Sequence, residues 1–167
     1  MKDLHAEFMG FLVSKGWLLI AASDSGDSER VAMDDKITGA PIPTSYLEFL
    51  KRFKSLSNAD ESRWFISTEE FSGNSDSAFS WDEFEKMSLD ASITDRDAED
   101  VRTFWGRHLP ILMAVDGDYQ YIALDRKSGA VVHGVEPDFE SASNLADSFE
   151  GFMVAVMDGK HDELFFE

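Results

Sequence analysis

"HLPILMAVDGDYQYIALD", His108 to Asp125, is the stretch that decides how this chain folds. Two apolar runs, Ile111 to Val115 and Tyr119 to Leu124, flank Asp116, Gly117 and Asp118. Glycine supplies positive φ and aspartate tolerates the left-handed region, so these three residues between strand-forming runs predict a tight hairpin. A calcium loop would instead need oxygen ligands at alternate positions and a closing glutamate. Gln120 and Tyr121 break that series, and no glutamate stands in the closing place. The next turn uses the same chemistry, Asp125, Ser128 and Gly129, and leads into a third strand over Ala130 to Val135.

Upstream, Leu4, Phe8, Phe11 and Leu12 recur at helical spacing, which predicts a helix over 2–15 ended near Gly16. "WLLIAA", Trp17 to Ala22, suits a buried strand, "SDSGDSE" a loop, and Val31 to Gly39 follows no single pattern. "PIPTSYLEFLKRFKSL" opens with prolines and a Thr44 or Ser45 cap, then sets Tyr46, Phe49, Leu50 and Phe53 on one helical face. Arg63 to Ser67 reads as a short strand, Ser72 to Ser80 as a loop, and Ser80 with Glu83 as a capping box. A helix from Thr94 or Asp95 carries acids in its first turn and Val101, Phe104, Trp105 and Leu109 along one side. The last helix, from Ser143 or Asn144, presents Leu145, Phe149, Phe152, Met153 and Val156. This order predicts an α+β fold, a single domain with a mainly antiparallel sheet flanked by helices.

The 167 residues fit one domain with its own core, and no repeat or linker divides them. Phe8 to Ser23 imitates an export signal, but Ser14, Lys15 and Gly16 interrupt it, and Asp3 and Glu7 sit where positive charge belongs. No run approaches the roughly 18 apolar residues that span a membrane. Zero cysteines exclude disulfides and thiolate metal sites, and they fit a cytoplasmic setting.

Net charge is −18, and residues 60–100 hold thirteen acids against three bases. Such a field repels nucleic-acid phosphates and anionic lipid, and it would steer a basic protein partner. An acidic surface also keeps a protein in solution, and that simpler reading leads.

Catalytic signatures are missing. His5, His108, His133 and His161 lack paired-ligand spacing, and there is no GxSxG, GxxxxGK[ST] or GxGxxG. Thirty-three acids make any paired-carboxylate argument unspecific. No cofactor, metal site or catalytic residue is therefore expected. Trp64 and Trp81 flank a polar loop in the acidic segment, where aromatic anchors rimmed by charge suit an interface, although ordinary packing also explains them.

"IPTSYLEFLKRF" resembles the "LP-x-x-Y-x-x-FL" opening of the SUKH superfamily, which includes bacterial toxin-immunity proteins, the Syd protein and a fungal regulator of cell-wall synthesis. "HLPILMAVDGDYQYIALD" is similar to its "hLPI-x-x-x-GGD-x-Y-x-x-LD" core, "GAVVHGVEPD" to the strand after it, and "LADSFEGFM" to its terminal "A-x-SFEEFL" helix. The chain departs from the pattern at Asn58-Ala59, where the family often has Asn-Gly, and at Asp116, where it has glycine. The resemblance covers about 40–157, with 1–39 as an N-terminal helix and strand extension and 158–167 as a tail. It implies an α+β sheet with no shared catalytic residues. Its matching positions, Pro43, Tyr46, Phe49, Leu50, Leu109, Pro110, Gly117, Asp118, Tyr121, Asp125 and Phe149, have structural jobs.

What the resemblance implies about function is a non-catalytic protein-binding module, an immunity protein that neutralises a basic toxin such as a nuclease, while the charge speaks against a nucleic-acid or membrane partner. Charge density makes Trp64, Asp82, Glu83, Glu85, Asp95, Asp97, Glu99 and Asp100 the partner-binding candidates. The alternatives are a carboxylate-dependent hydrolase built on Asp116, Asp118 and Asp125, or a regulatory adaptor of an endogenous protein.

Overall fold

The computed structural model describes residues 3–22, 41–73 and 79–166. Its first half comprises α1 (Leu4–Ser14), β1 (Leu18–Ala21), α2 (Thr44–Leu50), β2 (Phe53–Ser57), β3 (Arg63–Phe65), α3 (Thr68–Phe71) and α4 (Glu83–Ala91). Then come α5 (Asp95–Arg107), β4 (His108–Ala114), β5 (Gln120–Asp125), β6 (Val131–Val135), β7 (Ser143–Ala146), α6 (Phe149–Met157) and α7 (Asp162–Phe165). The seven strands form one antiparallel sheet in sequence order, so the fold is α+β as the element pattern predicts.

The decisive hairpin forms. Met113 faces Tyr121 across β4 and β5, and Gly117 turns the chain at φ 127°. Asp116 does more than occupy a turn. Its carboxylate accepts from Arg63 Nε at 3.0 and 3.1 Å, and Arg63 Nη1 donates to the Glu163 carbonyl at 2.9 Å. The guanidinium thus joins β3, the hairpin turn and α7, with the Arg63 side chain only 8% exposed. Asp116→Asn keeps the shape and removes the charge facing this buried cation. Since Asp116 itself is partly exposed, the expected loss is about 2 kcal/mol, below that for a fully buried pair. Asp118→Asn, at an exposed position, should stay within about 0.5 kcal/mol. Urea denaturation of the two variants tests this, and equal midpoints would refute the ion-pair account.

Three helix expectations are corrected. Leu109 does not lie along α5, which ends at Arg107; it is buried in β4 opposite Leu124. Phe53 does not complete the stripe of α2: the helix stops at Leu50, and Phe53 opens β2. Phe53 and Leu56 are still buried, but from a strand held between β1 and β3. Likewise Ser143–Ala146 is not the start of the last helix. It pairs with β6, and α6 begins at Phe149, where Ser148 Oγ accepts from Gly151 N at 3.0 Å. In each case sheet pairing overrides a local pattern that suits either period.

Other local expectations divide. Thr94 and Asp97 form a reciprocal capping box on α5. Pro43, not Thr44 or Ser45, occupies the N-cap of α2, and no side chain caps that end. Ser80 donates to the carboxylates of Asp82 and Glu83 instead of capping α4. A helix absent from the sequence expectations, α3, starts at Ser67 with a capping box to Glu70. "SDSGDSE" and Val31 to Gly39 lie outside the described residues, as does the middle of the Ser72–Ser80 loop.

The sheet has two packed faces. On one, Phe65 meets Phe8, Trp17, Phe49 and Phe165, bringing α1, α2, α6 and α7 into one aromatic core. On the other, Tyr121 meets Trp105 of α5, Phe84 of α4 and Phe139. The strands β4 and β5 are therefore buried on both sides, which explains their long apolar runs. The expectation of a buried strand over "WLLIAA" is corrected at β1, the sheet edge, where Leu18 and Ile20 are 52% and 56% exposed. Trp17 itself is buried, its Nε1 donating to the Phe165 carbonyl at 3.1 Å.

Candidate protein-docking site

The register Leu18–Ser57–Trp64–Met113–Tyr121–Gly134 crosses the sheet on the face that α4 and α5 cover. Those helices pack over Tyr121, while the β1–β3 end of the same face opens into a concavity of about 430 Å³. Lys54, Ser55, Ser57, Glu61, Trp64, Glu70 and Phe79 are among its lining residues.

Local chemistry positions each wall. Trp64 stands on β3 and, by strand alternation, points away from the face that Phe65 fills. Glu70 comes from α3, where Oε1 accepts from Ser67 N and Ser67 Oγ, both at 3.2 Å, in the capping box. Its Oε2 accepts from Trp64 Nε1 at 3.0 Å. Burial pushes the Glu70 carboxyl up, and the donors from Ser67 and Trp64 only partly oppose that. Three donors occupy a carboxylate with about four acceptor directions. The Ser55 and Ser57 hydroxyls, the Glu61 carboxylate and the Lys54 ammonium have no hydrogen-bond or ion-pair partner among the described residues.

Trp64 connects to the helical side through rings. Phe79 lies 6.3 Å from Trp64, Tyr119 lies 5.4 Å from Phe79, and Phe84 of α4 lies 6.0 Å from Tyr119. The other expected partner-binding residues sit on or beside the α4–α5 hairpin. Asp95, Asp97, Glu99 and Asp100 are exposed on the first half of α5, although Asp97 also completes its cap. Asp82 and Glu83 are half-buried and engaged by Ser80, with Lys86 Nζ 3.2 Å from Asp82. Glu85 is half-buried on α4. The candidates therefore divide into an outward acidic stretch on α5 and a wall of the concavity at Trp64.

Charge density alone overlooked Glu70, Glu61, Ser57 and Phe79. A usable signal was the Ser67-x-x-Glu70 spacing, which marks a helix start close to Trp64. Trp81, in contrast, is core, packed on Phe71 at 5.7 Å.

The carboxylates of the hydrolase alternative have separate surroundings. Asp116 pairs with Arg63, Asp118 is exposed, and Asp125 is buried. Burial alone would raise the Asp125 carboxyl, but Arg107 and the N–H groups of Ser128 and Lys127 outweigh it and hold it well below the usual carboxylate range. Two histidines have ordinary partners, His5 at the Ser45 carbonyl (2.8 Å) and His108 at the Phe104 carbonyl (2.9 Å). Among the described residues, no cluster of three or more such side chains could hold a metal ion, and no helix is long and apolar enough to cross a membrane.

The family model described as "SMI1 / KNR4 family (SUKH-1)" matches residues 34–155, close to the span carrying the sequence resemblance. No curated protein and no solved structure matches the chain.

Proposed function

The chain belongs to the SMI1/KNR4 (SUKH-1) family, and from that premise we propose that it is a non-catalytic protein-binding module, an immunity protein that neutralises a basic toxin. The family includes immunity proteins, which supports this reading; the immunity role and its target are both parts of the proposal. A nuclease is the toxin type that best matches the charge, because a nuclease is basic where it holds phosphate and a carboxylate-rich inhibitor can occupy that surface. A cytoplasmic setting belongs to the same proposal.

The observation that carries this reading is the exposed acidic stretch Asp95, Asp97, Glu99 and Asp100 on α5, with Trp64 on β3 as a separate, partly exposed aromatic anchor. Long-range charge raises the encounter rate, and a desolvated aromatic supplies affinity that charge alone does not. Asp82, Glu83 and Glu85 would contribute through the field of the same hairpin.

The test is an affinity pull-down with the tagged full chain, washed at low and then moderate salt, followed by a binding titration with the captured protein. The expected result is one dominant basic protein whose affinity falls with ionic strength. Asp95→Asn, Glu99→Gln and Asp100→Asn combined should weaken it at least about tenfold, mainly through association rate. A complex insensitive to salt and to the triple variant would remove the acidic interface.

A further inference from the structure

The geometry points to a seat for one arginine side chain of the partner protein, in the concavity lined by the Trp64 indole and the Glu70 carboxylate. It rests on the protein-binding reading above and specifies what the partner must present.

Three observations favour a guanidinium over other groups. First, the opening pairs an aromatic wall, Trp64 and Phe79, with a carboxylate on the same side of the sheet. A guanidinium is flat, stacks on an indole and spreads several N–H donors over neighbouring oxygens, here the remaining acceptor direction of Glu70 and the hydroxyls beside it, whereas an ammonium is a compact, strongly hydrated charge. Second, Glu70 is held in place from two sides, by Ser67 and by Trp64, so an incoming donor meets an acceptor that is already oriented. A desolvated carboxylate gains more from a cation than an exposed one does. Third, Ser55, Ser57 and Glu61 line the space with oxygens that have no side-chain partner among the described residues, which suits the several N–H groups of a guanidinium. Among the described lining residues Lys54 is the one basic side chain, and it is itself exposed. Leu18 and Ile20, exposed on the same face at the neighbouring strand, offer apolar contact to the methylene stem of the residue and its flanks.

The indole N–H signal of Trp64 in a two-dimensional NMR spectrum of the full chain reads this site, assigned among four tryptophans by Trp64→Phe. The probes are N-acetyl-arginine amide, its lysine counterpart, and the uncharged citrulline counterpart that has the same shape. The arginine derivative should shift the Trp64 signal in a saturable way, at least about fivefold more tightly than lysine, with no saturable shift from citrulline. Glu70→Gln, which retains a capping-box side chain, should weaken the arginine response at least about tenfold while the unfolding temperature stays within a few degrees. A Trp64 signal that does not move, a response that survives Glu70→Gln, or equal responses to arginine and lysine would each overturn the seat. The readout needs no toxin. A failed pull-down would leave a positive titration standing, and a silent Trp64 would leave docking on the acidic helix to be judged by its own test.

Discussion

Phe49→Ala is expected to lower the free energy of unfolding by about 4 kcal/mol, the largest stability loss among these substitutions. Phe49 is fully buried, and its ring lies within 5.2–6.5 Å of His5, Phe8, Tyr46, Phe53, Phe65 and Phe149. Those rings come from α1, α2, β2, β3 and α6, so no single segment can shift inward to fill the space. The cost therefore contains the full cavity contribution in addition to lost transfer energy. For a chain of this length, such a loss corresponds to a fall in unfolding temperature of roughly 10 °C. Phe49→Leu, which retains most of the volume, should cost about 1.5 kcal/mol. Thermal and urea unfolding of both variants would check this, and a Phe49→Ala loss below that of Phe49→Leu would contradict the packing account.

Gly134→Ala should cost about 3 kcal/mol through overpacking, although it adds one methyl group. Gly134 sits opposite Tyr121 in β5–β6, and an added Cβ would clash with the hydroxyl end of the ring, at Cζ, Oη and Cε1. Tyr121 has nowhere to retreat. It is fully buried against Trp105, Phe84 and Phe139, and its hydroxyl donates to the Phe139 carbonyl. The same ring supports α4 and α5, so a displaced Tyr121 would also disturb the helices that carry the acidic candidates. If the clash is the cause, Tyr121→Val should relieve it. The double variant would then cost less than the sum of the singles by more than about 1 kcal/mol. Additive losses would trace the effect to the strand backbone and not to the ring.

Several parts of this protein were legible in order along the chain. Asp116, Gly117 and Asp118 announced the β4–β5 hairpin because turn chemistry requires only a few adjacent residues. Thr94 announced α5 for the same reason, since a cap and its partner stand three residues apart. The apolar stripe of α6 is legible from Phe149 to Val156, because a face repeated over several turns survives an error at the boundary. Motifs in the right order likewise pointed to the SUKH family before any strand pairing was known.

What escaped was non-local. Phe53 and Leu145 carry side chains that suit a helix or a strand equally, and only pairing with β1, β3 and β6 decided their state. "WLLIAA" reads as a core strand, but its place at the sheet edge exposes it. Asp116 was read as turn chemistry, yet its partner Arg63 stands 53 residues earlier in the chain. The same holds for Gly134, whose necessity comes from a ring on the neighbouring strand and not from its own φ.

By itself, then, the sequence determined the hairpin, the Thr94 cap, the acidic balance and the family, because each is written in residues close together or in totals. The tertiary structure alone decided where the sheet ends, which end of their face α4 and α5 leave open, and that Glu70 meets Trp64 at that opening. Those outcomes depend on contacts between segments that fold separately and meet only when the sheet closes its register, and no local preference encodes such a meeting.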